Sequence, residues 1–132
     1  MLPARMLMLA SLALCGFVLA LVLAGCGAKP ATLNSVAGKV MYKGTPLSAG
    51  VIVFSPDTSR GESGRIAVSK IESDGSYTLK TDDKPGAAAG WYRVTIGSDV
   101  ANLKSEYREP SLSQLQCEVK PNRDNHLNFN LD

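Results

Sequence analysis

From Val36 onward, apolar residues alternate with polar ones in short bursts, the period of two that a half-buried β-strand requires. VAGKVMY (36–42) puts Val36, Val40 and Tyr42 on one face with Gly38, and GVIVF (50–54) is apolar throughout, as a central strand is. RIAVSK (65–70) alternates Ile66 and Val68 with Ala67 and Ser69, and SYTLKT (76–81) alternates Tyr77 and Leu79 with Thr78 and Lys80. In WYRVTIG (91–97), Tyr92, Val94 and Ile96 share one face, leaving Trp91, Arg93 and Thr95 on the other. LQCEVK (115–120) groups Leu115, Cys117 and Val119, and HLNFNLD (126–132) groups Leu127, Phe129 and Leu131. Turn residues separate these runs: KGTP (43–46), KPN (120–122), and SDGS (73–76), which predicts a hairpin with glycine supplying positive φ. Val100, Leu103 and Tyr107 fit one face of a short helix that Pro110 would end, but a loop fits equally well. Seven short strands with these turns predict an all-β fold, a seven-stranded antiparallel β-sandwich.

The chain before Val36 reads differently. Met6–Ala24 contains no charged residue and a single hydroxyl, Ser11; Arg5 precedes it, and Gly25, Cys26 and Gly27 follow. A basic start, an apolar middle and a small-residue exit predict a helical signal peptide over residues 1–25. The apolar run also approaches the roughly 20 residues that cross a bilayer, so its length alone leaves an uncleaved anchor open. The exit, Leu23-Ala24-Gly25-Cys26, is similar to the lipobox of bacterial lipoprotein precursors. That resemblance implies a diacylglyceryl thioether on Cys26, cleavage between Gly25 and Cys26, and N-acylation (palmitate) of the new terminus. Three cysteines are present: Cys15, which would leave with the signal, Cys26 and Cys117. A lipidated Cys26 leaves Cys117 without a partner, whereas a Cys26–Cys117 disulfide is the rival reading. Residues 26–35, polar with small residues and Pro30, read as a flexible tether to a domain over 36–132.

Within that domain, VAGKVMYKGTPLSAGVIVF, IESDGSYTLK and GWYRVTIG carry G-x-V-x-x-x-G-x-P-L, D-G-x-Y-x-L and G-x-Y-x-V-x-I in that order. These stretches, from Val36 to about Ile96, resemble the carboxypeptidase regulatory-like domain. The resemblance implies a transthyretin-like or Ig-like sandwich. The tail SEYREPSLSQLQCEVKPNRDNHLNFNLD is similar to the ending of short bacterial lipoproteins built on that domain. What the family implies about activity is a non-catalytic module, and a fold does not by itself carry a function.

Charge narrows the classes further. The net charge is +2, from 14 basic and 12 acidic residues, and Arg5 is the only charged residue that a cleaved signal would remove. No basic cluster points to nucleic acid, so no nucleic-acid partner is expected. With aromatic residues at 6%, the core must rest mainly on Val, Leu, Ile and Ala.

Few residues offer chemistry. His126, the only histidine, is out of phase with Leu127, Phe129 and Leu131 and is expected at the surface. Asp74 with Gly75 reads as turn chemistry. Asp82 and Asp83, if on a strand, point apart and make a poor acid–base pair; loop calcium binding stays open there, without EF-hand spacing. Cys117 is expected to be a buried small hydrophobe, with a reactive thiol as the alternative.

Trp91 and Arg93, facing outward, are the candidate ligand contacts. The competing reading has Trp91 capping the sandwich edge or packing under the 98–113 loop. GESGR (61–65) is not a nucleophile elbow, and no phosphate loop, Cys-x-x-Cys or His-Glu-x-x-His occurs. No catalytic, cofactor-binding or metal residue is therefore assigned.

The sequence supports a lipid-anchored, non-enzymatic module of the bacterial cell envelope, bound to the membrane through Cys26, with a structural or protein-interaction role. The alternative is a carbohydrate-binding accessory domain using Trp91, with a glycan partner. Because Gly27 replaces the aspartate that retains lipoproteins at the inner membrane, delivery to the outer membrane is expected.

Overall fold

The structure, a computed structural model, describes residues 31–132; the signal peptide expected over 1–25 and Cys26, the residue expected to carry lipid, lie outside the described residues. The fold is all-β. In chain order the strands are β1 (Leu33–Asn34), β2 (Val36–Tyr42), β3 (Thr45–Pro46), β4 (Gly50–Pro56), β5 (Ala67–Ile71), β6 (Ser76–Thr78) and β7 (Lys80–Thr81). They continue with β8 (Lys84–Pro85), β9 (Ala87–Ala88), β10 (Gly90–Gly97), β11 (Gln116–Val119), β12 (Asn125–His126) and β13 (Phe129–Leu131). A 3-10 turn occupies Thr58–Arg60, and a single-turn helix, α1, occupies Ser105–Arg108. Tyr107 within this helix and Leu103 just before it are buried, while Val100 is exposed.

One antiparallel sheet has the order β11-β10-β4-β5-β7-β8, with β4 central and paired to β10 from Tyr92↔Pro56 to Gly97↔Val51. A second sheet is built around β2. On one side of it lie β6 and β3, antiparallel; on the other lie β12 and β13. These last two strands run parallel to β2, against the expectation of an antiparallel pattern throughout. The reason is where the chain re-enters. After β11 it turns at Pro121–Asn122 and comes in beside the start of β2, where Asn125 N–H donates to Ser35 O and Leu127 N–H to Ala37 O. Leu33 and Asn34, within the stretch expected as tether, pair with Ala88 and Ala87 of β9 as a small separate sheet.

The turns follow their residues. Lys43 (φ 50°) and Gly44 (φ 79°) form the positive-φ pair of a hairpin turn between β2 and β3. At the SDGS hairpin, Glu72 N–H donates to Ser76 O at 2.8 Å, and Asp74 Oδ1 accepts from Ser76 N at 3.0 Å. Beyond that the ladder opens. The Ser69 hydroxyl accepts from Thr78 N–H, β6 pairs with β2, and pairing to β5 resumes only at Val68↔Lys80. The stretch expected as one strand over 76–81 thus serves two sheets, with Leu79 N–H donating to Val36 O where it crosses.

Inward-facing side chains match the period of two on most strands: Val36 and Val40, Tyr77 and Leu79, Tyr92, Val94 and Ile96, Cys117 and Val119, Phe129 and Leu131. β5 reverses the expected emphasis. Ala67 and Ile71 are buried, while Ile66 (54% exposed) and Val68 (39%) face out. Register explains it, because Ala67 stands opposite Phe54, and its small side chain faces the core beside that large ring. β4 also alternates, with Ile52 and Phe54 inside and Val51 48% exposed.

Residues from both large sheets share one core. The Phe54 ring lies 5.8 Å from Tyr92, 6.2 Å from Tyr77 and 6.0 Å, edge-on, from Phe129. The Tyr77 hydroxyl crosses to donate to Leu127 O at 2.5 Å. Gly38 makes that approach feasible, since a Cβ there would stand 1.9 Å from the same carbonyl oxygen. Truncating Phe54 removes the shared ring and leaves a cavity between the sheets. Phe54→Ala is expected to lose about 3–5 kcal/mol, lowering the thermal midpoint by more than about 10 °C, whereas Val51→Ala on the same strand should stay within about 0.5 kcal/mol. Thermal unfolding followed by circular dichroism checks both.

Candidate functional site

The only tryptophan stands at the start of β10, at a corner assembled by the loop that follows β4. Asp57 directly follows that strand and caps the 3-10 turn, its Oδ1 accepting from Ser59 N at 3.1 Å and from the Ser59 hydroxyl at 2.5 Å. The turn reverses through Gly61 (φ 76°), so that Glu62 N–H returns to Asp57 O at 3.2 Å. The loop is thereby stitched to Trp91 on both backbone groups: Asp57 N–H donates to Trp91 O at 2.9 Å, and Trp91 N–H donates to Glu62 Oε1 at 3.3 Å.

Trp91 points outward as expected, but its ring is not open. The Arg60 guanidinium lies over the indole, 4.1 Å from the ring centroid, and Arg60 Nη2 also donates to Gln116 Oε1 of β11 at 3.4 Å. The residue covering Trp91 therefore comes from the 58–60 turn. Arg93, the second candidate contact, is equally committed. Its Nε donates to Asp57 Oδ1 at 3.4 Å, its Nη1 to Ser113 O at 3.2 Å and its Nη2 to the Ser59 hydroxyl at 3.5 Å.

Asp57 is the hub. It is 1% exposed, Arg93 faces its Oδ1, and Arg60 Nε lies 3.5 Å from its Oδ2, which receives no hydrogen bond from the described residues. A buried carboxylate is stable only when charge or hydrogen bonds replace its water. The Ser59 hydroxyl is the main cause holding the Asp57 carboxyl below its ordinary value; burial opposes this, and Arg93 adds to it. Asp57, Ser59, Arg60, Glu62 and Gln116 were not singled out from the sequence. The available signal was Asp57-Thr58-Ser59, an N-cap pattern directly after an apolar strand.

The other candidates are dispersed. His126 is exposed on β12, and Asp74 serves the turn, its carboxyl lowered chiefly by the Ser76 hydroxyl and then by the Ser76 N–H. Asp82 and Asp83 do not lie on a strand. Both adopt positive φ (48° and 64°) in the tight turn between β7 and β8, where Arg65 pairs with Asp82 at 2.5 Å. Among the described residues no group of three or more His, Cys, Asp or Glu is placed to hold a metal ion, and no helix is long and apolar enough to cross a membrane. Among the described residues Cys117 has no disulfide partner; it is buried, and burial pushes its thiol up to about 12. Comparison of the chain with known protein families, curated proteins and solved structures gives no match.

Two outcomes follow from these environments. The depressed folded-state value of Asp57 contributes stability that is fully present above the unfolded value of 3.8 and is lost as pH falls through the folded value. Asp57→Asn should therefore be less stable than wild type near neutral pH, with the gap closing below about pH 4, as read by urea unfolding across pH. For Cys117, the thiolate is scarce in the folded state. Its alkylation by iodoacetamide, followed by peptide mass mapping, should be about 100-fold or more slower in the folded protein than in urea at the same pH.

Proposed function

We propose that this chain is a lipid-anchored, non-enzymatic module of the bacterial cell envelope, with a structural or protein-interaction role. The observation that carries the proposal is the exit of the apolar run, Leu23-Ala24-Gly25-Cys26. Two acyl-bearing sites on one terminal residue suit stable anchoring, since each buried CH₂ contributes about 0.8 kcal/mol and one chain alone binds only reversibly. The tether is short. Ala31 already belongs to the folded unit, so the residues between it and Cys26 span at most about 3.3–3.6 Å each. The domain would then work close to the membrane surface, with Gly27 favouring the outer membrane.

The proposal extends to the fold. Two sheets meeting through Phe54, Tyr77, Tyr92 and Phe129 support a sandwich of the carboxypeptidase regulatory-like kind, transthyretin-like or Ig-like. A non-catalytic role is supported by how the polar side chains are used. Arg93, Ser59 and Asp57 bond to one another, and Cys117 is a buried thiol whose ionisation burial disfavours. An interaction role instead places function on loops and on the outer sheet faces.

Intact-mass measurement of the membrane-extracted protein tests the anchor. The wild-type chain should lack residues 1–25 and carry diacylglyceryl and acyl mass on Cys26, while Cys26→Ser should remain uncleaved and unlipidated. An unmodified full-length wild-type chain overturns the proposal.

A further inference from the structure

The outer face of the six-stranded sheet carries a shallow groove of about 560 Å³, formed where β6 leaves β5 to join the other sheet. Its apolar part is Ile66 and Val68, both exposed, continued across β4 by Val53, which stands opposite Val68. Its charged part is Lys70, Lys80 and, at the far end from Ile66, Glu72, with Asp82 and Asp83 at the end nearest Ile66. Val68 and Lys80 are direct cross-strand partners and so share this outer face.

The spacing makes the face complementary to itself. Ile66 lies two residues along the strand from Val68, and the Asp82–Asp83 turn lies two to three residues beyond Lys80 in the same direction, because β5 and β7 are antiparallel. Each step is about 3.3 Å. A two-fold axis in the plane of the face, perpendicular to β5 and midway between Val68 and Ile66, exchanges these positions. It sets Val68 against Ile66 of the second copy, and Lys80 against the Asp82–Asp83 turn of the second copy. Since Asp82 already holds Arg65, Asp83 is the acid available to Lys80. Apolar groups then meet apolar groups and opposite charges meet, as a closed two-fold interface demands.

We propose that two copies of this chain associate through this face, with β5 of one copy lying antiparallel over β5 of the other. The inference is independent of the membrane anchor. The apolar contact supplies attraction, and the Lys80–Asp83 pairs select the register.

Light scattering coupled to size exclusion, on the full chain in a mild detergent, tests it. The wild-type chain should be dimeric at about 10–100 μM, and Val68→Asp should weaken association by at least about tenfold with an unchanged circular dichroism spectrum. Lys80→Glu should weaken it as well, by placing like charges together, and Lys80→Glu with Asp83→Lys should restore it. A wild-type chain that stays monomeric at about 100 μM overturns the proposal, as does a dimer that Val68→Asp leaves intact. Failure of the double variant to recover overturns the assigned register.

Discussion

Phe54 touches three aromatic rings, and the two larger sheets meet through that contact. Tyr92 comes from the neighbouring strand of the same sheet, while Tyr77 and Phe129 come from the two sides of β2 in the other. With aromatic residues at 6% of the chain, this cluster holds much of the large apolar surface available to the core. Other features follow from making room for it. Ala67 is small because it stands opposite Phe54, and Gly38 lacks a side chain because Leu127 O and the Tyr77 hydroxyl need its space.

A second arrangement sits at the end of β4 and governs the surface. Asp57 is a buried carboxylate, and an isolated buried charge is too costly to persist. Ser59, Arg60 and Arg93 converge on it. In doing so they place one guanidinium over Trp91 and fasten the other to Ser113 O. The most conspicuous aromatic and cationic side chains are thereby spent on internal structure. Among the described residues a β-branched outer face bordered by lysines and aspartates stays open, the face proposed to meet a second copy.

The two themes meet in how the hairpin after β5 is built. Its turn is local, held by Asp74 and Gly75, yet its strands part within a few residues because Tyr77 and Leu79 are needed inside against β2. Opening the ladder exposes the outer face of β5 as a groove. Core packing on one side of the strand thus creates the candidate interface on the other.

Much of this was legible in the residues. Period-two alternation located each main strand and the inward residues of β2, β10, β11 and β13, because side-chain direction along a strand is a local property. Gly44 and Gly75 marked their turns for the same reason, and the residues around Cys26 alone raised the expectation of a lipid anchor. Which face of β5 turns inward was not legible, since both its faces carry apolar residues and only pairing with β4 distinguishes them. Nor was the parallel pairing of β12 and β13 with β2, which depends on where a distant segment re-enters. The cover on Trp91 escaped for a similar cause: Arg60 lies far from it in sequence and is carried over it by the turn that Asp57 caps. Local alternation thus determined the elements and their turns, while partners distant along the chain decided which faces and charges meet.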